Sequence, residues 1–506
     1  MYDMMAADGG RPGVCRAAQV CFVCKSRKKK CDKVLPSCGL CVRKGLNCVY
    51  ETRLRNEAVV ALDHTSPTSP PLVLSQAILL EPTSSQANLY RQVLNLIRET
   101  GQFVDDISAR YFQGIHRYLP VVSRTNFHRN LITLAAVPSA GFSTLLLSIC
   151  LVTSSSGPGS RTGHAANPRP FDRRSFHLVT KSFLAQAQAL FPPSIHLIQA
   201  RLLLAVYDYT RGRADDAFDS IAGCARMAYT SRLHLFNQSS LQSPVFPPAV
   251  SNANSNAETD IHLEAKEAAN TWWGIIICER TFFCEVTVSE QPLVTVIPDG
   301  DVLLPTEPEI LEQTEFLGPN LIPRVTVSGL SSVDVGGFGR AAQAAWLLDQ
   351  TLSGFKNPSL DSKLGQLEAL DSTFQTFLGV LMQQSAGKVG VFCEAIAITI
   401  RALFTLHWHL PSQSPHAIHF TYPSLETWSS RSDAALDTAT KMVLDVVEVH
   451  DTFDFTAPSY SSMVRAALKH IHGKTKWEDD SWLRSAEERL RTSLNQFNIY
   501  WNIDDR

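Results

Sequence analysis

Apolar residues recur at three- and four-residue intervals from about Leu89 to the end of the chain, the spacing that puts them on one face of an α-helix. Leu89, Val93, Leu96, Thr100, Phe103 and Ile107 step along the chain in a 4-3-4-3-4 pattern. That seam is shorter than the three to four heptads a coiled coil requires, so it reads as the first core helix of a globular body. Leu54, Ala58 and Ala61 make a poorer seam still. A helix pair is expected over Ser194–Gly212 and Asp215–Leu235, turning at Arg211-Gly212-Arg213. Further helices are expected over Glu264–Val286, Asp361–Ser385, Lys388–Leu410, Leu425–His450 and Ser481–Phe497. The apolar run Leu145–Val152 falls short of the ~18 residues of a membrane span and reads as a core helix. Loops are expected over Ser154–Pro170, Phe236–Asp260 and Val288–Leu330. No β-rich domain and no solenoid repeat emerges, so residues 89–506 form a large, mainly α body.

The helical pattern does not extend to the N-terminus. Residues 51–88, with Thr65-Ser66-Pro67-Thr68-Ser69-Pro70-Pro71 inside them, have the composition of a flexible linker. Residues 1–15 read as disordered, and Met1 to Gly13 lack the apolar stretch of a signal peptide. Residues 16–50 form a compact module of their own. The formal net charge of −2 conceals an asymmetry. Residues 16–55 carry eleven Lys or Arg against Asp32 and Glu51, a local +9, which leaves −11 for the remainder. A cationic module tethered to an acidic body suggests nucleic-acid binding at one end.

Six cysteines explain how so small a module folds. They read Cys21-x-x-Cys24, six residues, Cys31, six residues, then Cys38-x-x-Cys41, six residues, Cys48. Thiolates are ligands for tetrahedral zinc, and a C-x-x-C turn brings two of them to one metal. Two zinc ions need eight positions, so six sulfurs suffice if two of them bridge. The near-repeat makes the first cysteine of each half the bridge: one ion sees Cys21, Cys24, Cys31 and Cys38, the other Cys38, Cys41, Cys48 and Cys21. A disulfide framework is the alternative, and it fits a chain without a secretory signal poorly. Cys15, Cys150, Cys224, Cys278, Cys284 and Cys393 are scattered and read as small core hydrophobes or, for Cys15, as an unpaired outlier.

With the basic run Lys25–Lys30, the Cys31-Asp32 pair and Pro36 before Cys38, residues 21–48 resemble the fungal zinc binuclear cluster DNA-binding domain. The resemblance implies two Zn²⁺ ions bridged by Cys21 and Cys38, and a short basic helix over Lys25–Lys30 entering the major groove of double-stranded promoter DNA. By position in the family Lys28 reads base edges, with Arg27 beside it, in a CGG-like triplet. Lys25, Lys29, Lys30, Lys33, Arg43 and Lys44 are assigned to phosphates, contacts that position a protein without specifying sequence. The body resembles the middle homology regulatory domain that accompanies such clusters. The stretches that carry this are Tyr111-Phe112 through His116, Pro120 and Phe127; Gln199–Tyr207; Ala222–His234; and Thr271-Trp272-Trp273 with Glu279-Arg280. Basic residues usual before the Trp pair are replaced by Ala268-Ala269-Asn270, and a downstream Gly-Arg-Pro is reduced to Gln291-Pro292.

The expectation is a nuclear transcription regulator, not an enzyme, acting on a metabolic or secondary-metabolite gene set. Its partners would be DNA, transcription machinery or co-regulators and a small-molecule effector, with no membrane, and with homodimerisation unsupported by a strong coiled coil. The alternatives are a helical enzyme acting on a small molecule, or a protein-interaction module with a structural zinc cluster. His407, His409, His416 and His419 lack acidic or thiol partners at ligand spacing and read as core or surface histidines. Gly157, Gly159 and Gly163 follow no strand and make no nucleotide fingerprint. His450–Phe455 and Phe497–Asp505 are candidate activation segments.

Overall fold

In the computed structural model, the described residues are 20, 21, 24, 25, 27–34, 37–45 and 48 near the N-terminus, then 86–132, 137–154, 172–236, 255–312, 324–386, 388, 390–413, 423–450, 456–474 and 480–501. The chain divides into two compact units, Met1–Leu72 and Val73–Arg506. The expected N-terminal disorder over 1–15, all but the last three residues of the 51–88 linker, most of the 154–170 loop, His416 and His419, and the segments 451–455 and 502–505 lie outside the described residues.

Among the described residues of the first unit, the helix with both ends described is α1 (Gly39–Arg43), taken up with the site below. The described residues of the second are mainly helical: α2 (Gln86–Glu99), α3 (Val104–Gln113), α4 (Arg124–Ile132), α5 (Ala140–Thr153), α6 (Arg173–Leu190), α7 (Ile195–Thr210), α8 (Ala214–Thr230), α9 (Ser255–Phe283), α10 (Pro308–Glu312), α11 (Gly337–Gly354), α12 (Leu360–Ser385), α13 (Cys393–Gln413), α14 (Pro423–His450), α15 (Tyr460–Gly473) and α16 (Ser481–Trp501). Among the described residues β-structure is limited to isolated bridge residues, such as Leu303 with Thr326. No described helix is long and apolar enough to cross a membrane.

Two central pairs organise the body. In the first half α5 packs on α7, with α2, α6 and α8 around them; in the second, α11 packs on α13, with α12, α14 and α15 around them. Helix α9 touches α7 and α8 on one side and α11 on the other, which makes the two halves one core. Every residue of α5 is buried. Buried polar groups tie the halves together. Glu267 on α9 accepts hydrogen bonds from Ser123 N (3.0 Å), Asn126 Nδ2 (2.6 Å) and Gln199 Nε2 (3.0 Å). Arg280 on α9 donates to Asp349 on α11 (2.7 Å), to Glu279 (2.5 Å) and to the hydroxyl (2.6 Å) and carbonyl (2.8 Å) of Thr295.

Several sequence expectations need correction. The seam from Leu89 to Ile107 is two helices, because Gly101 adopts a left-handed φ of +73° that an α-helix cannot continue through. Leu89, Val93 and Ile97 face the core, whereas Phe103 is 73 % exposed at the start of α3. The helix expected from Glu264 begins at Ser255, inside the expected loop 236–260. The helix expected from Lys388 begins at Cys393, after Gly390 at φ +85°. The loop expected over Val288–Leu330 contains α10. Helices α4, α6, α11 and α15 were not anticipated.

Candidate metal centre and nucleic-acid interface

The N-terminal unit is built from two copies of one local structure, offset by 17 residues. In the first, Lys25 N donates to Cys21 O (3.0 Å) and Cys24 N to Cys21 Sγ (3.4 Å). In the second, Val42 N donates to Cys38 O (3.0 Å) and Cys41 N to Cys38 Sγ (3.4 Å). Each C-x-x-C thus opens a helical turn whose first cysteine caps it with sulfur. Each turn also ends in the left-handed region, at Lys28 (φ +48°) and at Gly45 (φ +62°). Around Lys28 the return bonds are Lys28 N to Lys25 O (3.2 Å) and Lys29 N to Cys24 O (2.9 Å), the pattern of a Schellman helix stop. The helix expected to run through Lys30 therefore closes at Lys28, and Lys29 and Lys30 lie beyond it. An early stop is what lets the chain turn back and deliver Cys31.

The six sulfurs converge. Cys21, Cys24, Cys31 and Cys38 form one quartet and Cys21, Cys38, Cys41 and Cys48 a second, with the ligand atoms of each within 4.8 Å of one another. Cys21 and Cys38 are common to both, as the symmetry of the spacing requires. Cys21 Sγ lies 3.7 Å from Cys38 Sγ and 3.8 Å from Cys41 Sγ, and Cys24 Sγ lies 3.6 Å from Cys38 Sγ. These separations exceed the ~2.05 Å of a disulfide. They match the ~3.8 Å edge of a tetrahedron whose metal–sulfur bonds are ~2.3 Å, so the donor set fits zinc in both quartets. Cys21, Cys24, Cys38 and Cys41 are buried, Cys31 and Cys48 half-buried. Withdrawal from water pushes the Cys41 thiol up to about 12 and raises Cys21 and Cys24, whereas the Cys41 N–H directed at Cys38 draws that thiol down to about 6. A nest of sulfurs in this environment is stable as thiolates only beside a compensating cation.

Asp32 links the two copies. Its carboxylate accepts from Gly39 N (2.9 and 3.1 Å) and from Val34 N (3.3 Å), which pins the stretch after Cys31 to the start of α1. A Cβ on Gly39 would sit 2.6 Å from Asp32 Oδ2. Gly39→Ala should therefore expel the carboxylate and weaken the unit by about 1 kcal/mol. Chelator competition on Gly39→Ala, Asp32→Ala and the double variant checks this: the two losses should not add. The Cys-Asp pair is visible in the sequence; the role of Asp32 as a clamp is not, because its main donor, Gly39 N, comes from backbone seven residues away.

The cations surround this nest. Lys25, Arg27, Lys28, Lys29, Lys30, Arg43 and Lys44 are exposed, and Lys33 is half-buried with φ +61°. Five of the exposed ones follow the first C-x-x-C, while the equivalent stretch of the second copy supplies Arg43 and Lys44 beside the exposed Val42.

Residues 19–57 match the fungal Zn(2)-Cys(6) binuclear cluster domain, and residues 109–286 match the fungal specific transcription factor domain. The chain is similar to the fungal zinc binuclear cluster transcription factors in both of its units. Zinc is accordingly the metal of the N-terminal domain. Among similar proteins, the transcription factor macR of Penicillium terrestre is 40% identical over 52 residues, 10% of this chain and 6% of that one. The notoamide biosynthesis cluster transcriptional coactivator notQ' of Aspergillus versicolor is 52% identical over 33 residues, 6% of each. Regulator of drug sensitivity 1 of Saccharomyces cerevisiae is 37% identical over 76 residues, 15% of this chain and 9% of that protein. The alignments thus span less than a tenth of each relative's length.

The fold accounts for the departure at Ala268-Ala269-Asn270. Asn270 is fully buried; it donates to Pro120 O (3.0 Å) and Thr306 O (2.8 Å) and accepts from Thr306 N (2.9 Å). A basic side chain here would lose these bonds and bury an unpaired charge. His407 sits between Ser432 Oγ (3.1 Å) and Asp371 Oδ1 (3.4 Å), the order of groups used by serine hydrolases. Ser432 is fully buried and His407 stacks on Trp428, so the three tie α12, α13 and α14 together. His409 stacks on Phe355 at 3.6 Å.

Proposed function

We propose that this protein is a nuclear, sequence-specific regulator of transcription whose N-terminal unit binds double-stranded promoter DNA through a two-zinc cluster. One ion is assigned to Cys21, Cys24, Cys31 and Cys38, the other to Cys38, Cys41, Cys48 and Cys21. Zinc supplies the cross-link that a 28-residue segment, lacking an apolar core of its own, needs in order to fold. The observation that carries the reading is the pair of overlapping sulfur quartets beneath an exposed run of lysine and arginine.

In this reading the turn ending at Lys28 enters the major groove, where a guanine edge presents two acceptors to a cationic donor. The backbone geometry at Lys28 favours the assignment. The equivalent position in the second copy is Gly45, the residue that meets a left-handed φ without strain, so a lysine here is kept against a local cost of about 1 kcal/mol. Lys28 and Arg27 read a CGG-like triplet; Lys25, Lys29, Lys30, Lys33, Arg43 and Lys44 hold phosphates. The helical body recruits co-regulators or transcription machinery and responds to an effector. The target genes form a metabolic set, with secondary metabolism favoured by the biosynthesis-cluster name of one relative. The domain limits that follow are a zinc module at 16–50, a linker at 51–88 and a regulatory body at 89–506. The whole is a regulator, not an enzyme.

Paired duplexes test the division of labour. Lys28→Ala should reduce discrimination between a CGG-bearing and a scrambled duplex by ~1–3 kcal/mol. Lys44→Ala should weaken binding to both alike and lower the salt dependence by about one phosphate contact. Equal losses on both duplexes from both variants refute the assignment.

A further inference from the structure

Buried carboxylates in the helical body are of two kinds. Asp208 is paired with Lys181 and Arg213, and Glu279 and Asp349 with Arg280. Glu267 and Glu394 are buried as well, yet the groups that act on them are hydrogen-bond donors and, for Glu267, a further acid, Glu264. Each is seated against the start of a helix from another part of the chain: Glu267 against Ser123 and Asn126 at the start of α4, Glu394 against Ser459 at the start of α15. At Glu394 two helix starts meet, because it lies itself in the first turn of α13. Its Oε2 accepts from Ser459 N (3.1 Å) and its Oε1 from Ser459 Oγ (2.5 Å). A serine in this position ordinarily accepts from an N–H of its own helix. Here its hydroxyl donates to Glu394 instead, and α15 has no side-chain cap. Tyr460 through Val464, which follow, are all buried.

The titratable groups around Glu394 offer it no compensation. They are Cys278 on α9, Cys393 next to it on α13 and Tyr118 ahead of α4, with Arg117 acting on Tyr118. Burial raises all three acids, Cys393 to about 11, so they stay neutral near pH 7. Burial likewise pushes Glu394 up to about 7, against the pull of the Ser459 N–H and hydroxyl. We propose that the Glu394–Ser459 contact is a proton-operated latch in the body: with the carboxyl neutral the start of α15 stays docked on α13, and ionisation favours opening of that junction to water. A neutral carboxyl still accepts at one oxygen and donates from the other to Ser459 Oγ, whereas a buried carboxylate without a cation gains by reaching solvent. The folded protein thus keeps a proton that the opened chain releases near the ordinary value of 4.5. Between that value and about 7 the junction loses stability as pH rises, and the loss is complete above it. The latch lies in the helical body and does not depend on the DNA-binding assignment.

The zinc-loaded full chain is unfolded in urea at pH 5.5 and at pH 8, and hydrogen exchange is followed over residues 459–464. Burial draws His116 and His177 down to about 3, an effect on stability that runs the other way with pH, so each variant is compared with the parent at the same pH. Glu394→Gln keeps the shape and removes the charge. Its folding constant relative to the parent should rise at least about tenfold between pH 5.5 and pH 8. Ser459→Ala removes a donor that favours the carboxylate, so its folding constant relative to the parent should fall over the same range. In the parent, protection of residues 459–464, corrected for the intrinsic exchange rate, should fall as pH rises, and in Glu394→Gln it should not. The inference is overturned if the ratio of Glu394→Gln to parent is the same at both pH values or falls, if that of Ser459→Ala rises with pH, or if protection of residues 459–464 in the parent is independent of pH.

Discussion

Replacing Cys38 with serine should empty both metal sites at once. Cys38 belongs to both sulfur quartets, and its sulfur also caps α1 by accepting from Cys41 N. A hydroxyl at this position is a poor ligand for either ion, and the loss leaves each quartet with three sulfurs. Structural zinc contributes on the order of 10 kcal/mol to domains of this size, far more than the sparse apolar contacts of the unit can replace. The parent should hold two zinc ions per chain and Cys38→Ser none, with duplex binding reduced to the weak level of an unstructured cationic segment. Cys48→Ser is the control: Cys48 belongs to one quartet only and is half-buried, so that variant should keep one ion. Metal analysis that finds one zinc in Cys38→Ser would contradict the bridged arrangement.

The second large effect lies in the helical body. Arg280 is 1 % exposed and answers two carboxylates, Glu279 and Asp349, while also holding both oxygens of Thr295. Arg280→Met keeps the aliphatic volume and removes the charge. Two acids then remain in a low-dielectric setting with no cation, and α9 loses its tie to α11. A destabilisation of ~3–5 kcal/mol is expected, read as a lower urea midpoint by circular dichroism. The triple variant Arg280→Met, Glu279→Gln, Asp349→Asn should recover part of it, since the cost comes from the abandoned charges. If the triple variant is no more stable than Arg280→Met, the loss is one of packing.

The sulfur geometry was legible because it is local: 17 residues separate the two halves, and their ligand spacing is identical. The helices with a clear polar face were legible too, among them α8 and α12. Helix α11 escaped notice because it begins Gly336-Gly337-Phe338-Gly339 and is buried on nearly all sides, Ala341, Ala342, Ala344 and Ala345 included. A helix surrounded by other helices shows no amphipathic period. Its start is instead fixed by tertiary contacts, with Glu307 accepting from Phe338 N (3.2 Å) and Gly339 N (2.8 Å). Helix α15 was hidden for a related reason, since Tyr460 through Val464 are all buried. The stop at Lys28 was invisible because lysine carries no turn signal. The left-handed backbone there is imposed by the need to return Cys31 to the metal.

The central claim is most directly tested by equilibrium binding of the full chain to a CGG-bearing and a scrambled duplex at one fixed salt concentration, before and after zinc is removed by a chelator. The account predicts that the zinc-loaded protein prefers the CGG duplex by at least about a thousandfold, and that chelation abolishes the preference. Equal affinity for the two duplexes, or a preference that survives the loss of zinc, would contradict it.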